Sequence, residues 1–153
     1  MKEFGLTRDG VFVAGLSTGG AMAAILDDLC PAVFSAVGVH SGLARGAARD
    51  VLSAISAMHS GNTPQSITPG FNLPSDPLRR IIFQGDADGT VYPSNVAVIV
   101  AVALTVQASP TKVTRRSVLV RSYCRSEFAG TDGEVLLELW MLEGTGHAWS
   151  GGR

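Results

Sequence analysis

The chain is poor in cysteine, in aromatic residues and in charge. Only Cys30 and Cys124 occur among its 153 residues. Two cysteines close at most one disulfide, too few to staple a small scaffold. No C-x-x-C pair exists, which argues against a zinc knuckle or a thioredoxin-type site, and both residues are read as ordinary buried small side chains. The 12 basic residues are balanced by 13 acidic ones. The first 76 residues carry 4 bases and 6 acids, and the remaining 77 carry 8 and 7. Neither half has the positive excess of a nucleic-acid or anionic-membrane binder. The longest near-continuous apolar run, Val96–Val106, is too short to span a bilayer. No apolar stretch follows Met1-Lys2-Glu3-Phe4-Gly5, so no signal peptide is visible.

Several chemical signatures are missing as well. The chain has no H-E-x-x-H, no EF-hand loop, no Walker A lysine and no G-x-G-x-x-G fingerprint. No metal or cofactor is therefore expected. Asp27-Asp28 falls late in a helical pattern and is read as a solvated pair. What is present is a composition that is 46% hydrophobic and 16% charged, with 18 glycines in no fixed period. That excludes collagen and disorder, and 153 residues suit one domain that buries roughly two-thirds of its unfolded surface.

Short apolar runs alternate with helical patterns along the chain. Val11–Ala14 reads as a buried parallel strand. Ala21–Cys30 follows as a helix, stopped by Pro31. Ala32–Val39 reads as a second strand, and Leu43–Met58 as a helix on the spacing of Val51, Leu52, Ile55 and Met58. Ser60–Pro77 has no period and is a long polar excursion. Ile81–Phe83 is a third strand. Pro93–Ala108 suits a crossover helix with no polar face, so something is expected to cover it, a partner chain being one candidate. Arg116–Phe128 and Glu134–Leu142 read as two strands joined by the tight turn Gly130-Thr131-Asp132-Gly133. The order β-α-β-α-β-α-β-β implies a mostly parallel sheet with crossover helices, an α/β class.

Gly15-Leu16-Ser17-Thr18-Gly19 is a G-x-S-x-G pentapeptide between an apolar strand and a helix. That context turns the pattern into a nucleophile elbow: a sharp turn with Ser17 exposed above the sheet, and the two glycines leaving room for strand and helix. The Thr18 N–H would face a developing oxyanion near the positive end of the helix. A serine hydroxyl needs a base. Of His40, His59 and His147, the last lies in a glycine-flanked loop after the final strand and is the candidate. His40 and His59 are read as structural or merely exposed. Asp88, in the turn after the third strand, is the candidate acid that orients the base, while Asp86 is read as holding that turn by backbone hydrogen bonds. The chain order Ser17, Asp88, His147 is the α/β-hydrolase order.

These residues also resemble a known family. Val11–Met22 is similar to the nucleophile segment of the polyhydroxybutyrate depolymerase-like esterases, α/β-hydrolases that include feruloyl and acetylxylan esterase-type enzymes. Pro31–Gly42 is similar to the segment that follows. Phe83–Val91 resembles the acid-bearing turn, with Gln84 where a histidine is common, and 144–152 resembles the histidine loop. The resemblance implies an α/β-hydrolase fold, Ser17 as nucleophile, Asp88 as acid and His147 as base. It also implies strands before the elbow, with a glycine-containing loop that donates a second oxyanion N–H, and a helix after Gly152. Residues 1–153 are thus expected to be a single catalytic domain incomplete at both ends. Members of the family are often secreted.

The expected function is serine esterase action on a hydroxyalkanoate-like or aromatic ester, small or polymeric, without a cofactor. Trp149 and Tyr92 flank the triad loops and are read either as pocket lining or as core. A rival reading is a non-catalytic α/β module that associates through the open edge at Val11–Ala14 or through Val96–Val106. A peptidase or thioesterase using the same triad is a further alternative.

Overall fold

A computed structural model of the chain describes residues 5, 7–61, 78–104, 110–119 and 121–150. A single turn of 3-10 helix at Arg8–Gly10 leads into strand β1, Phe12–Leu16, and helix α1, Thr18–Leu29. Strand β2 (Ala36–His40), helix α2 (Val51–Ser60), strand β3 (Arg79–Gly85) and helix α3 (Asn95–Leu104) follow. The chain closes with three strands, β4 (Lys112–Val118), β5 (Arg121–Ala129) and β6 (Val135–Leu142). They form one six-stranded sheet in the order β1-β2-β3-β6-β5-β4. The first four in that order are parallel, and β5 and β4 extend the sheet antiparallel.

Crossover helices are what allow the parallel half, because parallel neighbours cannot be joined by a tight turn. α1 is rich in alanine and ends before Pro31, which cannot continue it. α2 starts at Val51, later than the periodicity from Leu43 suggests. Asp50 is its cap: the carboxylate accepts the Ser53 N–H at 2.8 Å, and the Ser53 hydroxyl accepts the Asp50 N–H at 3.0 Å. Residues 43–50 are therefore irregular. α1 and α3 lie over the same sheet face, with Val37, Val39 and Ile82 beneath them.

The apolar run of α3 is buried within the chain, and two further expectations need correction. α3 is covered by its own chain: Val96, Val98, Ile99 and Val100 are buried and, among the described residues of the segment, only Ala97 is exposed. Residues 105–109 lie outside the described residues, as do 62–77 of the polar excursion. Asp27 is not solvated but buried, with a two-pronged ion pair to Arg80. Burial raises its carboxyl above the ordinary value, although Arg80 opposes the shift. The expected single strand Arg116–Phe128 is a hairpin, with β4 and β5 reversing at Leu119 and pairing Val118 with Arg121. Leu119 adopts φ 58°, the left-handed region in which a leucine gives no turn signal. The turn at 130–133 matches its sequence, with Gly133 at φ 85° and its N–H donating to the Gly130 carbonyl. Cys30 and Cys124 are unpaired and half-buried.

Candidate active site

The register aligns the carboxyl ends of the parallel strands. Leu16 lies beside His40, His40 beside Phe83, and Gly85 beside Leu142. The loops that follow β1, β2, β3 and β6 therefore emerge along one rim, and they carry Ser17, Ser41, Asp88 and His147. In an open α/β sheet this rim is where ligands bind.

Ser17 sits at φ 58° and ψ −121°, between the last residue of β1 and the first of α1. A non-glycine residue there is strained by about 1–3 kcal/mol and must be held by its surroundings. The Ser17 N–H donates to the His40 carbonyl, and the Ser17 carbonyl accepts from the Ala21 N–H, both at 2.9 Å. A Cβ at Gly15 would lie 2.1 Å from the Gly19 backbone. One at Gly20 would lie 2.9 Å from the carbonyl oxygens of Gly15 and His40, and one at Gly42 would lie 2.9 Å from the Gly20 backbone. Gly19, the second glycine of the pentapeptide, would point a Cβ into open space. The close approach thus needs Gly15, Gly20 and Gly42, not the pair that frames the motif. Thr18 opens α1, so its N–H has no helical acceptor and is available at the positive end of the helix.

Asp88 is buried at 3% exposure in the turn after β3. One carboxylate oxygen, Oδ1, accepts the N–H groups of Thr90 and Val91, each at 2.9 Å. The other, Oδ2, accepts from Gln84 Nε2 at 3.2 Å and from His147 Nδ1 at 2.9 Å. Burial alone would raise this carboxyl; the hydrogen bonds from His147, Val91, Ser41 and Thr90 outweigh it and hold the acid below its ordinary value. An ionised Asp88 can only accept, so His147 carries its proton on Nδ1 and leaves the Nε2 lone pair free to act as a base.

The two turns are stitched together by the backbone. Asp86 accepts the Gly144 N–H at 2.7 Å, as its turn-holding role requires, and the Ala87 N–H donates to the Thr145 carbonyl at 3.2 Å. Gly85 is obligatory, because a Cβ there would lie 2.0 Å from the Thr145 oxygen. Gln84 is buried and also donates to the Val91 carbonyl at 2.9 Å, so it braces both ends of the acid turn. No local pattern in the sequence signals this role.

Asp88 and His147 are thus in direct contact, while among the described residues no hydrogen bond joins the Ser17 hydroxyl to His147. A cavity of about 220 Å³ opens beside Ser17 and Thr18, walled mainly by Ile25, Leu43, Met58 and Val91 and by small residues. Neither Tyr92 nor Trp149 lines it. Tyr92 packs against the His59 ring, and Trp149 stands edge-on to His40. His40 is more than a buried strand end: it binds Ser17 through its carbonyl and Ser41 and Ser150 through its ring. The links to Ser17 and Ser150 join loops far apart in sequence, and no local pattern signals them. No group of three or more His, Cys, Asp or Glu able to hold a metal occurs among the described residues.

A family model described as "Esterase PHB depolymerase" matches residues 2–123. No curated protein matches the chain. An acetyl xylan esterase from Aspergillus awamori is similar in structure, with a TM-score of 0.74 and 22% identity, covering 95% of this chain and 57% of its own. A PHB depolymerase complexed with R3HB trimer superposes with a TM-score of 0.57 and 18% identity, covering 93% of this chain and 40% of its own. The chain thus spans about half the length of these solved structures, which share its α/β-hydrolase fold.

Proposed function

The chain belongs to the esterase PHB depolymerase family, and from that premise we propose that it is a serine hydrolase of carboxylic esters, with Ser17 as nucleophile, His147 as base and Asp88 as the acid that orients it. The observation that carries this reading is the strained Ser17 elbow on the same sheet rim as His147 hydrogen-bonded to a buried Asp88. In the reaction, Ser17 Oγ attacks the ester carbonyl carbon while its proton passes to His147 Nε2. Asp88 stabilises the imidazolium, and the Thr18 N–H donates to the oxyanion. The alkoxide leaves with the proton from His147, an acyl-enzyme remains, and a water deprotonated by His147 releases the acid. Hydroxyl–imidazole contacts of this kind commonly tighten only when substrate is bound.

The cavity beside Ser17 has apolar walls and, among the described residues, no charged side chain. It suits an aliphatic acyl group, such as a hydroxyalkanoate, better than an aromatic one, since among the described residues no ring lines it. Hydrolysis of p-nitrophenyl acetate, butyrate and an aromatic ester by the chain and by Ser17→Ala tests the proposal. Turnover should favour the aliphatic esters and should fall by at least about 10³-fold in the variant. Equal rates in the two proteins would refute catalysis through Ser17 and leave the non-catalytic module.

A further inference from the structure

The rim holds a second imidazole that the reaction does not consume. His40 is buried at 1% exposure at the end of β2. Its Nδ1 lies 3.1 Å from the Ser41 hydroxyl, and its Nε2 lies 2.8 Å from the Ser150 hydroxyl. Nε2 also accepts the Ser150 backbone N–H at 3.2 Å. That last contact fixes the tautomer. A backbone N–H can only donate, so Nε2 carries the lone pair and Nδ1 the proton. The Nδ1 proton goes to Ser41 Oγ. Burial lowers the imidazole's proton affinity, which favours this neutral form.

Three loops therefore meet at one ring. The His40 carbonyl holds the Ser17 N–H, one side of the ring holds Ser41, and the far side pins the loop that carries His147. His147 itself is anchored on one side, by Asp88 at Nδ1. A single contact sets where its ring is attached but not how the ring swings towards Ser17. Fixing Ser150, three residues further on, supplies the second point. We propose that His40 is a positioning residue that clamps the His147 loop through Ser150. The proposal rests on the catalytic roles assigned above, although its structural half can be tested without them.

The test uses His40→Phe, which keeps the flat ring against Phe83 and removes both polar links, and His40→Gln, whose amide can still accept from Ser150. In His40→Phe, kcat for p-nitrophenyl butyrate should fall about 10- to 100-fold, the worth of two hydrogen bonds, with KM nearly unchanged. His40→Gln should recover most of that loss. Proton NMR of the His147 Nδ1–H supplies a readout that needs no turnover: the resonance should be sharp in the parent chain and exchange-broadened in His40→Phe. A folded His40→Phe with parental kcat and a parental His147 resonance would overturn the proposal. Should His40→Phe not fold, Ser150→Ala, at an exposed position, takes its place. Its kcat should fall about 3- to 10-fold with faster Nδ1 proton exchange, and unchanged exchange would overturn the clamp. A parent chain without Ser17-dependent turnover would sink the esterase reading, while the NMR comparison would still decide the clamp.

Discussion

Ser17 bears the local strain of the site, and its backbone and side chain can be separated by substitution. Ser17→Gly should relieve a conformation that costs about 1–3 kcal/mol, partly offset by glycine's greater freedom in the unfolded chain. The melting temperature should rise by a few degrees, at about 2–4 °C per kcal/mol for a chain this long, while hydrolysis disappears. The pentapeptide's two glycines should respond in opposite directions. Gly15→Ala places a methyl 2.1 Å from backbone that cannot move and should cost about 4 kcal/mol or more. Gly19→Ala meets open space in a helix and should stabilise by about 0.5–1 kcal/mol. Thermal unfolding of the two variants checks the contrast. Asp88 sets an acid limit. Its carboxyl is held low in the folded chain, so the stability it contributes is complete above the unfolded value of about 3.9 and is lost as pH falls through the lower folded value. Acid titration followed by circular dichroism should show a shallower loss below that pH in Asp88→Asn than in the parent.

Elements were legible where their signals are local. The apolar run before Gly15, the alanine-rich stretch before Pro31 and the Asp132-Gly133 turn each mark a boundary by their own chemistry, and β1, α1 and the β5–β6 reversal stand at those places. β4 was hidden, because the reversal at Leu119 uses a residue type that rarely enters the left-handed region. That reversal yields a test at the same scale. Leu119 is 97% exposed, so nothing packs against its side chain. Asparagine tolerates the left-handed conformation better, and Leu119→Asn should stabilise the β4–β5 hairpin by up to about 1 kcal/mol. A melting temperature at or below the parental value would show that the turn is not the strained point. The start of α2 was misplaced for a similar reason. Periodicity runs on through Leu43, but the Asp50–Ser53 capping box decides where hydrogen bonding begins.

At the scale of the molecule, the parallel strands act as a ruler. Their register brings residues 17, 88 and 147 to one rim although two long crossovers separate them. The three turns could be read from strand endings in the sequence. The contacts between them could not. The reach of Gln84 to Asp88 and Val91, and of His40 to Ser150 across 110 residues, exists only once the sheet has formed. The two sheet edges differ as well. β4 carries exposed Lys112, Arg115 and Arg116, charges that discourage further pairing. On β1, Phe12 is 67% exposed. The whole account rests on Ser17 being made nucleophilic by its neighbours across the rim. Labelling with a fluorophosphonate, followed by peptide mass mapping, measures that property directly. The expected result is one adduct, on Ser17, formed rapidly in the parent and far more slowly in His147→Ala. No adduct on Ser17, or an adduct formed at the same rate without His147, would contradict it.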